Sequence, residues 1–234
     1  MKIEIMGTKV KKFLIFMLTN LIFIQCFCKR DMQETFHRII FEYGNWRDRD
    51  TICGFGSTLE ATEYIRAQLP LLCESLNIKT MLDVPCGDFN WMKEVSLPKV
   101  KYIGADVVKK LIIKNVELYS KENREFIYLD VTRDRIPKVD LILCKDLFIH
   151  FSFEDIMLTL KNFKASDAKY LLASTYMGEI KNIDRSTPCC RLINLQTAPF
   201  NFPAPLEIIP EKTELRHEYS KKVLALWRLD DISM

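Results

Sequence analysis

The chain has 234 residues, and its 34 Lys and Arg against 31 Asp and Glu leave a charge of +3 with no basic stripe, which speaks against nucleic-acid binding. Eight cysteines without a C-x-x-C pair and three scattered histidines speak against a metal site, and cysteines set in apolar runs read as small buried hydrophobes rather than as a disulfide framework. Beyond the first thirty or so residues, the rest is the size of one α/β domain, so the expected division is 1–31 and 32–234.

Lys9, Lys11 and Lys12 precede an apolar run from Phe13 to Cys28, which Lys29 and Arg30 close. By composition this is a signal or membrane segment. No A-x-A-like cleavage site follows it, so the expectation is an uncleaved anchor and a membrane-associated chain. Translation from Met32 would instead leave a cytoplasmic one.

Met32 to Tyr43 is amphipathic and leads into a loop around Gly44, Gly54 and Gly56. In S-T-L-E, Ser57 and Glu60 form a capping box, and Leu59, Tyr64, Ile65, Leu69 and Leu72 predict an apolar helix face reaching to Asn77. Thr80 to Val84 reads as a buried strand, Pro85 and Gly87 as a tight turn, and Trp91 to Glu94 as the start of a helix. Further apolar runs follow at Tyr102 to Asp106, Phe126 to Asp130, Val139 to Cys144 and Tyr170 to Ser174. Strands alternating with helical patterns predict a parallel sheet covered on both faces. The long loop from Met177 to Phe202 has the length of a lid over a binding site, and two last strands, Leu206 to Pro210 and Val223 to Leu229, predict an antiparallel end.

The chemistry-bearing residues cluster at predicted strand ends. Asp83 and Asp88 flank Pro85, Cys86 and Gly87, which places carboxylates beside a bare backbone turn and suits a cation better than a pyrophosphate. Asp106 ends the second strand, nineteen residues after Gly87, where a carboxylate can accept from both hydroxyls of a ribose. Asp130 ends the third, where an acid and the next backbone amide, that of Val131, can read an adenine edge. After the fourth strand come Asp146 and His150, ahead of a helix capped by Ser152.

Asp83 to Phe89, Asp106, Asp130 with Val131, and Asp146, in this order, resemble the class I S-adenosylmethionine-dependent methyltransferases over roughly residues 55 to 230. The strings G-S-T-L-E, D-x-P-C-G-D-F-N-W-M and D-x-x-x-H are similar to those of a small bacterial-type group without an assigned substrate. Pro85 and Phe89 stand where that family usually has glycine. The resemblance implies a doubly wound, seven-stranded Rossmann-like sheet, parallel except for an antiparallel last strand. It also implies S-adenosyl-L-methionine as cofactor, held by Asp83, Pro85, Cys86, Gly87, Asp88, Phe89, Asp106, Asp130 and Val131.

His150 has two readings, a general base for a hydroxyl or phenol acceptor and a histidine that orders its own turn. Asp146 is placed to orient cofactor or acceptor, and Phe89, Trp91 and Phe148 either wall the acceptor pocket or belong to the core. The expected acceptor is a small molecule. A catalytically silent adenosine-cofactor binding protein is the alternative, and a nicotinamide-dependent oxidoreductase fits less well because the phosphate-binding glycines are missing.

Overall fold

The computed structural model describes residues 31–211 and 221–233. The apolar run Phe13 to Cys28 lies outside them, and no described helix is long and apolar enough to cross a membrane. Gln33–Met234 forms one compact unit.

Helix α1 (Met32–His37) continues as a π-helical turn at Arg38–Glu42, and a 3-10 turn follows at Phe55–Ser57. Helix α2 (Glu63–Ser75) buries Ile65, Leu69, Leu72 and Cys73, an i, i+4, i+7 stripe that faces the sheet. It starts later than the Ser57 box predicts. Glu60 pairs with Arg49 instead of folding back on a cap, and Thr58 Oγ1 takes the Ala61 amide (3.1 Å), so residues 58–62 form turns before the helix begins.

Strand β1 (Thr80–Asp83) lies between β2 (Lys101–Asp106) and β4 (Leu141–Cys144), parallel to both. Beyond them lie β3 (Arg124–Tyr128), β5 (Tyr170–Tyr176), β6 (Glu207–Pro210) and β7 (Lys222–Arg228), in the order β3-β2-β1-β4-β5-β7-β6. β7 alone runs opposite to the other six strands. The strand order therefore reverses at β1 and β4, where doubly wound sheets open a ligand crevice at the carboxyl ends. Met81, Leu82, Leu141, Ile142, Leu143, Leu171 and Leu172 are fully buried, so the middle of the sheet is the core.

Helices α3 (Lys109–Tyr119) and α4 (Phe153–Lys164) are crossovers. The Ser152 Oγ accepts from the Asp155 amide (3.1 Å) and caps α4 as the sequence predicts. Between β1 and β2, however, the helix predicted after Trp91 is only a 3-10 turn, Met92–Glu94. Phe89, Trp91 and Met92 turn into the core there, and the chain passes directly to β2.

Candidate functional site

Four stretches meet at the carboxyl ends of β1, β2 and β4: the turn Val84–Phe89, the end of β2, the segment 145–150 after β4, and the loop 48–58. Gly87 has φ +56°, a conformation open to glycine at little cost, and its amide donates to Asp106 Oδ2 (3.1 Å). Asp106 Oδ1 accepts from the Val108 amide (2.9 Å). One carboxylate thus ties the β1 turn to the start of α3 and keeps lone pairs for further donors. Asp83 Oδ2 accepts from the Tyr102 hydroxyl at 2.6 Å.

Both carboxylates are buried, and neither makes an ion pair among the described residues. Burial raises Asp83 to about 7, against the pull of the Tyr102 hydroxyl, and raises Asp106 to about 6, against its backbone amides. Two uncompensated carboxylates this close to one turn make a local potential that a cationic ligand would relieve.

Asp88 binds the loop 48–58. Its Oδ2 accepts from Thr51 Oγ1 (2.8 Å) and the Ile52 amide (2.9 Å), fastening the loop 48–58 over the turn. Cys53 then packs so closely that a Cβ on Gly87 would lie 3.0 Å from its sulfur. Cys86 is buried beside them, and burial pushes both thiols far above their usual range.

Asp130 does not end the third strand as predicted but lies two residues beyond it, since β3 stops at Tyr128; it is buried, and its carboxylate serves its own turn. Oδ1 accepts from the Thr132 amide (3.0 Å) and hydroxyl (2.6 Å), and Oδ2 pairs with Arg133 (2.9 Å). Val131 is buried, with its carbonyl bonded to Asn162 (2.9 Å). Phe89 turns under the sheet, 1% exposed, against Tyr102, Tyr119 and Phe126, and Trp91 and Phe148 are core as well.

The segment after β4 carries a feature that the sequence reading missed. Lys145 Nζ lies 2.5 Å from Asp146 Oδ2 and 3.1 Å from Glu211 Oε2. Lys222 Nζ pairs with Asp146 Oδ1 and, at 3.0 Å, with the same Glu211 oxygen. Ser174 Oγ donates to Glu211 Oε1 (2.8 Å) and accepts from the Asp146 amide (3.2 Å). Two lysines and two carboxylates therefore close a ring at the ends of β4, β6 and β7. Burial would raise Asp146, but Lys145 and Lys222 hold it well below the usual carboxylate range; Lys222 is raised, because Asp146 and Glu211 outweigh its own burial. Gly56 lies on this ring, since a Cβ there would come within 2.5 Å of Asp146 Oδ2. In the sequence, Lys145 looks like the end of an apolar strand and Lys222 like one member of a charged stretch, so no local pattern pairs them.

His150 sits beside the ring. Its Nδ1 lies 3.1 Å from the Cys189 carbonyl, which can only accept, so Nδ1 carries the proton and Nε2 the lone pair. The ring packs on Trp46 (centroids 4.6 Å apart), and burial lowers its pKa to about 4 in spite of Asp146. Tyr176, raised to about 12 by burial, lies near Lys222 and Asp146. The loop after β5 is no loose lid. Asn182 binds the carbonyls of Asn194 (2.8 Å) and Ala198 (2.9 Å), Ile193 and Leu195 are fully buried, and Arg191 reaches the Phe151 carbonyl. Among the described residues no three His, Cys, Asp or Glu side chains gather as a metal site.

No family model matches the chain, and no curated protein matches it. Solved structures do. Human N-acetylserotonin methyltransferase in complex with SAM superposes with a TM-score of 0.52 at 14% identity, over 73% of this chain and 53% of the human one. Magnesium protoporphyrin IX methyltransferase from Synechocystis PCC 6803 with bound SAH gives a TM-score of 0.55 at 12% identity, over 85% of this chain and 97% of that one. TehB from Haemophilus influenzae gives 0.51 at 18% identity, over 69% and 61%. The chain spans about half the length of the human enzyme. At these identities the likeness is one of fold, and the strand order and the antiparallel β7 agree with it: the chain has the class I methyltransferase fold.

Proposed function

We propose that the chain is an S-adenosylmethionine-dependent methyltransferase acting on a small molecule through a hydroxyl or phenol oxygen. The observation that carries the reading is the bond from the Gly87 amide to Asp106, which holds at the end of β2, beside the β1 turn, a buried carboxylate that forms no ion pair among the described residues. The residues fit the cofactor: Asp106 has lone pairs left for ribose hydroxyls, and Asp83 and Asp106 together favour a positive charge. When bound, S-adenosylmethionine supplies a methyl group on a positively charged sulfur, whose departure leaves a neutral thioether.

What remains for the chain is alignment and the acceptor proton. His150 Nε2 holds the acceptor hydroxyl and takes its proton as the oxygen attacks, and the ionised Asp146 offsets the imidazolium that results. The sequence of Phe13 to Cys28 adds membrane attachment to the proposal, which would bring apolar phenols within reach. A screen of metabolite extracts with methyl-labelled cofactor tests the activity; labelled product in a small-molecule fraction supports it, and absence of any product contradicts it.

One observation favours a second reading, a catalytically silent adenosine-cofactor binding protein. Pro85 and Phe89 stand in place of two of the family's motif glycines, and Phe89 is turned into the core. That reading expects S-adenosylhomocysteine to bind without methyl transfer, and one labelled product ends it.

A further inference from the structure

Because the β1–β2 connection holds a 3-10 turn where a crossover helix would lie, a cavity of about 360 Å³ opens beside it. Phe89 and Tyr102 form its floor, and Lys93, Lys121, Arg124 and Glu94 stand around it. It takes in the start of β2 and the start of β3, so it lies at the opposite end of those strands from Asp106, which is four residues farther along β2, about 13 Å at a strand's usual rise. Its cations therefore lie away from the site described above, with which the cavity shares only Phe89 and Tyr102.

The charge around it is unbalanced, three cations to one acid. Arg124 is positioned rather than loose: its guanidinium lies 4.7 Å over the Phe89 ring, and one of its nitrogens donates to the Tyr119 carbonyl (3.4 Å). A planar guanidinium held on an aromatic face presents its remaining donors to a carboxylate or phosphate with little further ordering. Lys93 is steadied by Asn90 Oδ1 at 3.2 Å.

Both floor residues lead to the β1 turn. Phe89 is two residues from Gly87, in a left-handed conformation (φ +60°), with its amide on the Cys86 carbonyl (3.2 Å). Tyr102 gives its hydroxyl to Asp83 at 2.6 Å. A molecule that displaces either ring must shift the turn or the hydrogen bond on Asp83.

We propose that this cavity binds a small metabolite bearing a phosphate or carboxylate group, and that its occupancy changes the affinity of the turn at Asp83 and Gly87 for the cofactor. The coupling half rests on the cofactor reading; the binding half does not.

The test is calorimetric titration of the full chain with inorganic phosphate, AMP and citrate in the absence of cofactor, which separates phosphate from carboxylate recognition. At least one probe is expected to bind with a Kd under about 1 mM. Lys93→Ala with Lys121→Ala, two solvent-exposed positions, should weaken it at least about tenfold while melting temperature and S-adenosylhomocysteine affinity without probe stay as in the wild type. Saturating probe should change S-adenosylhomocysteine affinity about threefold or more, with the reciprocal change in probe affinity. No binding of any probe at about 10 mM, or equal binding by the double variant, overturns the site. Unchanged S-adenosylhomocysteine affinity overturns the coupling. Failure of S-adenosylhomocysteine to bind the wild type at all would contradict the proposed function and leave the probe titrations to decide the site alone.

Discussion

Thr51 gives its hydroxyl to Asp88 Oδ2 at 2.8 Å across thirty-seven residues of chain, and the Ile52 amide joins the same oxygen at 2.9 Å. Asp88, the more exposed of the acids around the turn, is thereby the fastener of the loop 48–58. Asp88→Ala is expected to release that loop: amide exchange at Ile52 and Cys53 should quicken about tenfold or more, as for a part-buried bond worth about 1.5–3 kcal/mol when its acceptor is charged. Exchange measured residue by residue checks it, and unchanged protection would show that Cys53 is held by packing alone.

Asp83 gives a pH prediction with a definite sign. Its folded value of about 7 lies above the ordinary 3.8, so the folded state binds the proton more tightly than the unfolded chain between those values, and this group lowers stability as pH rises from about 4 to 7. Asp83→Asn removes the ionisation and can still accept from Tyr102. The difference in melting temperature, variant minus wild type, should become more positive between pH 5 and pH 8, by an amount reflecting up to about 3 kcal/mol. Parallel curves for the two proteins would contradict the burial argument.

His150 is shifted the opposite way, to about 4. As a base it would be unprotonated across the physiological range, so kcat should rise through about pH 4 and then lie flat from pH 6 to 8. His150→Gln should lower kcat about a hundredfold or more with S-adenosylhomocysteine affinity unchanged, the usual consequence of losing a general base. Full turnover in the variant would leave His150 the orderer of its turn, through Cys189 and Trp46.

The ring of Lys145, Asp146, Glu211 and Lys222 should behave as a unit. Lys222→Met leaves the buried Glu211 and the part-buried Asp146 to one lysine and is expected to destabilise by about 2–4 kcal/mol, whereas adding Glu211→Gln restores the balance and recovers a large part of that loss. Urea denaturation of the two variants decides it. A loss under about 1 kcal/mol in the single variant would mean that the ring is solvated or replaced by other contacts.

The fold was readable because its signals are local. The apolar runs Thr80 to Val84, Tyr102 to Asp106 and Val139 to Cys144 became β1, β2 and β4, and Ser152 with Asp155 capped α4 as the spacing implied. Errors came where a distant partner outbid a local pattern: Glu60 left the capping box for Arg49, and Phe89, Trp91 and Met92 went into the core, so that only a 3-10 turn forms before β2. The strand-end acids stood out one by one, but the sequence could not show that Asp130 is occupied by Thr132 and Arg133. Nor could it show that Lys145 and Lys222, seventy-seven residues apart, share Glu211.

The central claim is that Asp106, at the end of β2, holds the ribose of an adenosyl cofactor. Calorimetric titration of S-adenosylhomocysteine into the wild-type chain, Asp106→Ala and Asp88→Ala tests it most directly. The account expects saturable binding by the wild type, a loss of about tenfold to a hundredfold in Asp106→Ala, and a smaller loss in Asp88→Ala, whose carboxylate serves the loop. No binding by the wild type at millimolar concentration, or equal small losses in both variants, would contradict it.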